Sequence, residues 1–251
     1  MPDWLPAGLW GLLAGSALLI GAVLGYFLQI PKRLVAAIMA FGSGVLTSAL
    51  SFELMDEAYE RGGFVSTAIG FLAGGAVYTL ANWLLCRYGA KHRKRSGGLQ
   101  PDEQEHQGSG MAIAIGALLD GIPESIVIGL SLLKGGAVGW VAVTAVFLSN
   151  LPEGLSSAAG MKGSGRSRTY IFGVWGGIAA MSGLAAIVGF TVFKGFPAGA
   201  IAGTSAVAAG AIMAMLVDTM IPEAFAEAHD LAGLVTVLGF LVSFILSKSA
   251  E

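Results

Sequence analysis

The chain has 251 residues, 55% of them hydrophobic and 12% charged, with a mean hydropathy of +0.75. Soluble domains carry about 25% charged residues, so this composition excludes an ordinary soluble protein and points to an integral membrane protein. A formal charge of −2 gives no footing for a nucleic-acid partner, three His exclude a His-rich metal cage, and the single Cys86 excludes an internal disulfide or a Cys-x-x-Cys metal site.

Apolar runs long enough to cross ~30 Å of hydrocarbon at ~1.5 Å per residue fall at roughly 8–30, 34–57, 64–86, 111–133, 137–160, 168–193, 199–225 and 231–248. The expected fold is therefore all-α, eight transmembrane helices in a single domain covering residues 1–251. The first run lacks a basic leader and ends in Gln29-Ile-Pro-Lys32, so it reads as a retained helix rather than a signal peptide. Between the runs stand Pro31-Lys-Arg33, Arg61-Gly-Gly63, Lys134-Gly-Gly136, Lys162-Gly-Ser-Gly165 and Lys194-Gly-Phe-Pro197, the punctuation expected of turns.

Ten of the 14 Lys and Arg fall in one set of alternate loops: Lys32, Arg33, Arg87, Lys91, Arg93, Lys94, Arg95, Lys162, Arg166 and Arg168. The positive-inside rule then places both termini outside and the loop at about 87–110 in the cytoplasm of a multi-pass inner (cytoplasmic) membrane protein. That loop is the one long polar stretch, a basic block followed by Gly-Gly and Gln/Glu/His, and reads as mobile and solvated. Its His92 and His106 are transient metal ligands or simply part of a basic loop.

An offset of 166 residues aligns Gly44, Leu50 and Glu57-Ala-Tyr59 with Gly210, Leu216 and Glu223-Ala-Phe225. The second and seventh segments thus correspond while running in opposite senses across the membrane. An offset of 29 pairs Asp120, Pro123 and Glu124 with Ser149, Pro152 and Glu153. The plan is a 3+2+3 inverted repeat with the fourth and fifth segments at its centre. Transporters built this way hold substrate near the midplane, at interrupted helices.

Those two segments carry Asp120-Gly-Ile-Pro-Glu124 and Ser149-Asn-Leu-Pro-Glu153. A carboxylate in hydrocarbon costs at least ~2.5 kcal/mol and marks a functional site by default. Pro123 and Pro152 free the carbonyls of Leu119 and Leu148, and freed carbonyls are ligands for hard cations. Asp120 and Glu124 share a helix face, as do Ser149 and Glu153; a divalent ion or a shared proton relieves the repulsion between the two acids. The plain alternative is a Pro kink packed against protonated acids.

Consecutive polar-polar-x-Pro-Glu segments after a basic loop, in an eight-segment chain, resemble the ZIP family of divalent metal transporters. Members typically carry His-Asn-x-Pro-Glu-Gly in the fourth helix and a polar pair followed by x-Pro-Glu-Gly in the fifth. The resemblance implies a metal site of Asp120, Glu124, Asn150, Glu153 and Ser149, with Asp120 in place of the His and Gly121 in place of the Asn. The sixth segment has no carboxylate, which removes the family's second site. An all-oxygen set suits Mn²⁺, Mg²⁺ or Fe²⁺ and also accepts Zn²⁺. The resemblance further implies Glu53 at the outer rim and an elevator-like mechanism. Asp218, with the kink at Pro222, stands nearer the cytoplasm and reads as an exit ligand or proton acceptor, and the repeat pairs Glu57 with Glu223 as an outer and an inner acidic vestibule, whereas Asp56, Glu57 and Glu227 read equally well as solvated helix ends. Gly11/Gly15, Gly21/Gly25, Gly70/Gly74 and Gly173/Gly177 have the spacing that lets helices approach closely.

The expected function is inward secondary transport of a divalent metal cation such as Zn²⁺, Mn²⁺ or Fe²⁺. No resident cofactor is expected; the partners are the transported ion and the lipid bilayer, and a homodimer is compatible with this reading. A proton or monovalent-cation carrier on a ZIP-like scaffold is the alternative. A membrane-embedded metallohydrolase is more remote, because His-Glu-x-x-His and Gly-x-Ser-x-Gly signatures are lacking.

Overall fold

The structure, a computed structural model, describes residues 2–94, 100, 109–134 and 140–250. Helix dominates because long apolar stretches satisfy their backbone groups internally, as a chain in lipid must. Pro6 opens α1 (Leu5–Phe27) at a position where its missing N–H costs nothing. There follow α2 (Lys32–Ala49), a π-helical turn Leu50–Met55, and α3 (Asp56–Cys86). After a 3₁₀ turn at Ala90–His92 come α4 (Ser109–Ser131), α5 (Trp140–Gly163), α6 (Arg168–Phe193) and α7 (Ala198–Met215). A second π-helical turn, Leu216–Met220, leads into the short α8 (Ile221–Ala228) and then α9 (Ala232–Ala250). No strand occurs among the described residues.

Five helical runs among the described residues are long and apolar enough to cross a membrane: Leu5–Phe27, Lys32–Cys86, Ser109–Ser131, Arg168–Phe193 and Ala198–Ser249. Two of these, of 55 and 52 residues, are more than twice the ~20 residues one crossing needs, and each breaks partway along. Gly63 interrupts the first at φ 69°, ψ 171°, a conformation open to Gly; His229 interrupts the second at φ 41°, ψ −113°. Gly63 and His229 are 166 residues apart, as are Leu50 and Leu216, where the two π turns begin.

Helix pairing divides the chain into two groups. α1 lies against α5 and α6, and α6 against α4; α3 lies against α7, and α2 against α9. Between the groups, α2 meets α5 and α4 meets α7. Glycines set the close approaches: a methyl on Gly21 or Gly25 would overlap the backbone of α5 at Leu151 and Leu155, and one on Gly74 the Val207 carbonyl of α7. The pairs Gly11/Gly15, Gly21/Gly25 and Gly70/Gly74 all face a neighbouring helix, whereas a methyl added at Gly173 or Gly177 meets no atom of another helix within 4 Å among the described residues. Large apolar side chains such as Phe64, Leu72 and Val77 lie exposed on the outside, as befits a surface bathed in lipid.

The expectation of a solvated loop at about 87–110 is corrected at four of its described residues, while Arg87, Tyr88 and Lys91 are exposed. Ala90, Arg93, Lys94 and Gln100 are all buried, because the two cations have gone inward to meet carboxylates of α4 and α5. Residues 95–99 and 101–108, His106 among them, lie outside the described residues.

Candidate functional site

Asp120, at 1% exposure, is the centre of a buried ionic knot. The Arg93 guanidinium grips it with two bonds, Nη2 to Oδ1 at 2.8 Å and Nε to Oδ2 at 3.0 Å. The Tyr78 hydroxyl donates to Oδ1 at 2.5 Å while accepting from Arg93 Nη2 at 2.9 Å. The remaining guanidinium nitrogen donates to Asn82 Oδ1 at 2.8 Å. Lys94 Nζ bridges the two motif helices, 3.3 Å from Asp120 Oδ2 and 2.9 Å from Glu153 Oε2. Burial works against the Lys94 charge, but the facing Asp120 and Glu153 outweigh it and hold the ammonium above the usual lysine range.

The sequence prepares each half of this knot. On α3, Gly70, Gly74, Tyr78 and Asn82 recur every four residues and are all buried, forming one stripe that presents a hydroxyl and an amide inward. On α4, Gly116 leaves the slot through which Arg93 passes: a methyl there would come within 2.6 Å of Arg93 Cδ. On α5, Ser157 and Ser156 donate to the main-chain carbonyls of Arg93 and Lys94, and Gln100 Nε2 donates to the Arg93 carbonyl at 2.9 Å.

The expected metal ligands are only partly brought together. Asp120 and Glu153 converge, but on Lys94. Asn150 faces away, donating to the Ala14 carbonyl of α1 at 3.1 Å, and Ser149 donates back into its own helix at Val146, 2.9 Å. No group of three or more His, Cys, Asp or Glu is arranged to hold a metal ion among the described residues.

Glu124 differs from its neighbours. It is 2% exposed and makes no hydrogen bond or ion pair among the described residues, yet it lines a cavity together with Glu53, Leu46, Leu50, Val127, Ala142 and Ile212. Glu53 itself accepts from Ser247 at 2.5 Å and sits in the first π turn; Asp218 sits in the second, exposed, accepting from Asn82 Nδ2 at 3.3 Å. π turns are rare and concentrate at functional positions. Glu223 is buried, its Oε1 3.1 Å from the Ser156 hydroxyl. Glu53 and Glu124 thus border one cavity, Lys94 joins Asp120 to Glu153, Glu223 lies beside Ser156 of α5, and Asp218 is joined to the knot through Asn82.

Sequence reasoning missed Tyr78, Asn82, Arg93 and Lys94. The stripe on α3 was readable as polar groups within an apolar run. For the two cations the available signal was the charge sum: membrane carboxylates need countercharge, and the nearest basic block lies between α3 and α4.

No protein-family model matches the chain, and no match is found among curated proteins.

Proposed function

We propose that the chain is a secondary transporter that moves a divalent metal cation inward through the carboxylates of α4 and α5, a ZIP-like protein whose usual imidazole is replaced by Asp120. Glu124 carries the reading. A buried carboxylate with no hydrogen bond or ion pair among the described residues takes a proton or meets a mobile cation, and Glu124 lies on a cavity with a second acid, Glu53, toward the proposed outer face. The breaks at Gly63 and His229 split two over-long runs and turn the five into seven segments, and the 24-residue α5 is the eighth crossing of this reading. The recurrence of breaks and π turns at the 166-residue interval supports the 3+2+3 inverted repeat. Under that symmetry the α3–α7 and α2–α9 contacts are images of each other, as are α1–α5 and α6–α4. Two helix groups meeting chiefly through α2–α5 and α4–α7 suit elevator-like movement of one group past the other.

A second reading, a proton or monovalent-cation carrier, is favoured by one observation: Lys94 already occupies the position between Asp120 and Glu153, leaving Glu124 as the group to load. Uptake of Zn²⁺, Mn²⁺ and Fe²⁺ into proteoliposomes, read beside internal pH, decides between them. Under the metal reading the native chain accumulates metal and Glu124→Gln, which breaks no observed bond, abolishes it. Proton flux without metal uptake establishes the second reading, and unimpaired metal uptake by Glu124→Gln removes this residue from the path.

A further inference from the structure

We propose that Arg93 and Lys94 form a tethered cationic latch, so that a cation bridging Asp120 and Glu153 binds only by displacing Lys94. The inference rests on the transport reading for its substrate, but its observations stand apart from it. The Lys94 ammonium is bonded to one carboxylate of α4 and one of α5, the same two groups an ion joining these helices would use. Both cannot be satisfied at once: each carboxylate has few lone pairs directed inward, and Asp120 already spends its own on Arg93, Tyr78 and Lys94.

The latch is built to come out. A segment held by apolar packing gives up buried area when it leaves, and no ion compensates for that. Here the named contacts of Arg93–Lys94 are polar, beside the burial of the two side-chain stems. They comprise ion pairs to Asp120 and Glu153, bonds to Tyr78 and Asn82, and the carbonyl contacts of Ser156, Ser157 and Gln100. Ala90 is the buried apolar anchor on the 3₁₀ turn. A cation arriving at the two carboxylates therefore competes directly with Lys94 for both and with Arg93 at Asp120. Gly89, at φ 97°, supplies a pivot between the end of α3 and that turn.

The latch also tunes apparent affinity. If the site accepts substrate only in the undocked fraction, the observed dissociation constant rises by the reciprocal of that fraction. The chain thereby sets how much cation is needed before α4 and α5 are loaded, and it fills the site with its own charge when cation is scarce.

The test uses the full chain with Cys86→Ser and Ala90→Cys, scoring the rate at which a bulky maleimide modifies the new thiol as Mn²⁺ is raised, beside Mn²⁺ uptake by the same protein in liposomes. Saturable acceleration of labelling, half-maximal where uptake is half-maximal, is expected. Lys94→Met should lower that half-maximal concentration by about tenfold or more. Ser157→Ala leaves every charge in place, loosens only the hold on the Arg93 carbonyl, and should lower it by about threefold to fivefold, so the proposal stays testable if Lys94→Met fails to fold. Uptake by the native chain with labelling indifferent to Mn²⁺ and half-maximal concentrations unmoved overturns the latch and leaves transport standing. Absence of uptake from the native chain and both variants overturns transport; labelling that still responds to Mn²⁺ then upholds the latch, and labelling that does not overturns it as well. Uptake gained only in the variants upholds the latch.

Discussion

Asp120 shows how little of a buried acid's chemistry resides in its own helix. Its carboxylate is fixed by residues 27 and 42 positions away in the chain, which is why the Pro-Glu motifs exposed the acids but not their partners. The spacing rules that place Asp120 and Glu124 on one face of α4 are local; the Arg93 guanidinium arrives through tertiary docking, which has no periodic signature. Removing one member of such a knot strands the others. Asp120→Asn leaves Arg93 and Lys94 with a single carboxylate and is expected to destabilise the folded protein by about 3–5 kcal/mol, seen as a lowered midpoint of thermal unfolding in detergent. Tyr78→Phe keeps the ring and removes a hydroxyl that both donates and accepts, a milder loss of about 1–3 kcal/mol. Glu124→Gln should leave the same midpoint unmoved, because that side chain holds nothing in place; a fall comparable to the Asp120 change would show that Glu124 is structural.

At the level of elements, the eight apolar runs were legible from hydropathy, and the helical turns fall within a few residues of them. The break in the Lys32–Cys86 run was legible too, announced by Arg61-Gly-Gly63, whereas the one at His229 falls between the runs at 199–225 and 231–248 with no Gly or Pro to mark it. The π turns were not legible, since Leu50–Met55 contains no Pro or Gly and nothing in it distinguishes an added residue in a turn from regular helix. The small-residue pattern was informative on three of four pairs and misleading at Gly173/Gly177, because spacing identifies a surface that permits approach and not the presence of a helix to approach it. Substitution should separate the two cases. Gly74→Ala drives a methyl into the Val207 carbonyl and is expected to cost about 1–3 kcal/mol through overpacking, measured as loss of thermal stability. Gly177→Ala meets open space and should be neutral or slightly stabilising through helix propensity.

Across the whole molecule, the proposed topology makes a direct claim about sidedness. Lys194 Nζ lies 2.7 Å from Asp3 Oδ2, placing the connection between α6 and α7 at the same end of the bundle as the start of α1, while Lys162 Nζ reaches the Tyr26 carbonyl 2.6 Å away at the other end of that helix. In a Cys86→Ser background, an impermeant thiol reagent added outside intact cells should label Asp3→Cys and leave Lys162→Cys untouched; the reverse pattern would invert the protein and turn proposed uptake into efflux. The ionic knot also imposes an order on assembly. Arg93 and Lys94 leave the ribosome before either acid they pair with, and Glu153 follows Lys94 by 59 residues. Two basic residues cannot settle among apolar helices before those acids are in place, so they wait in water while α4 and α5 insert. Under the proposed topology the fold is therefore closed from the side of the membrane where synthesis occurs, by the entry of Arg93 and Lys94 between helices already laid down.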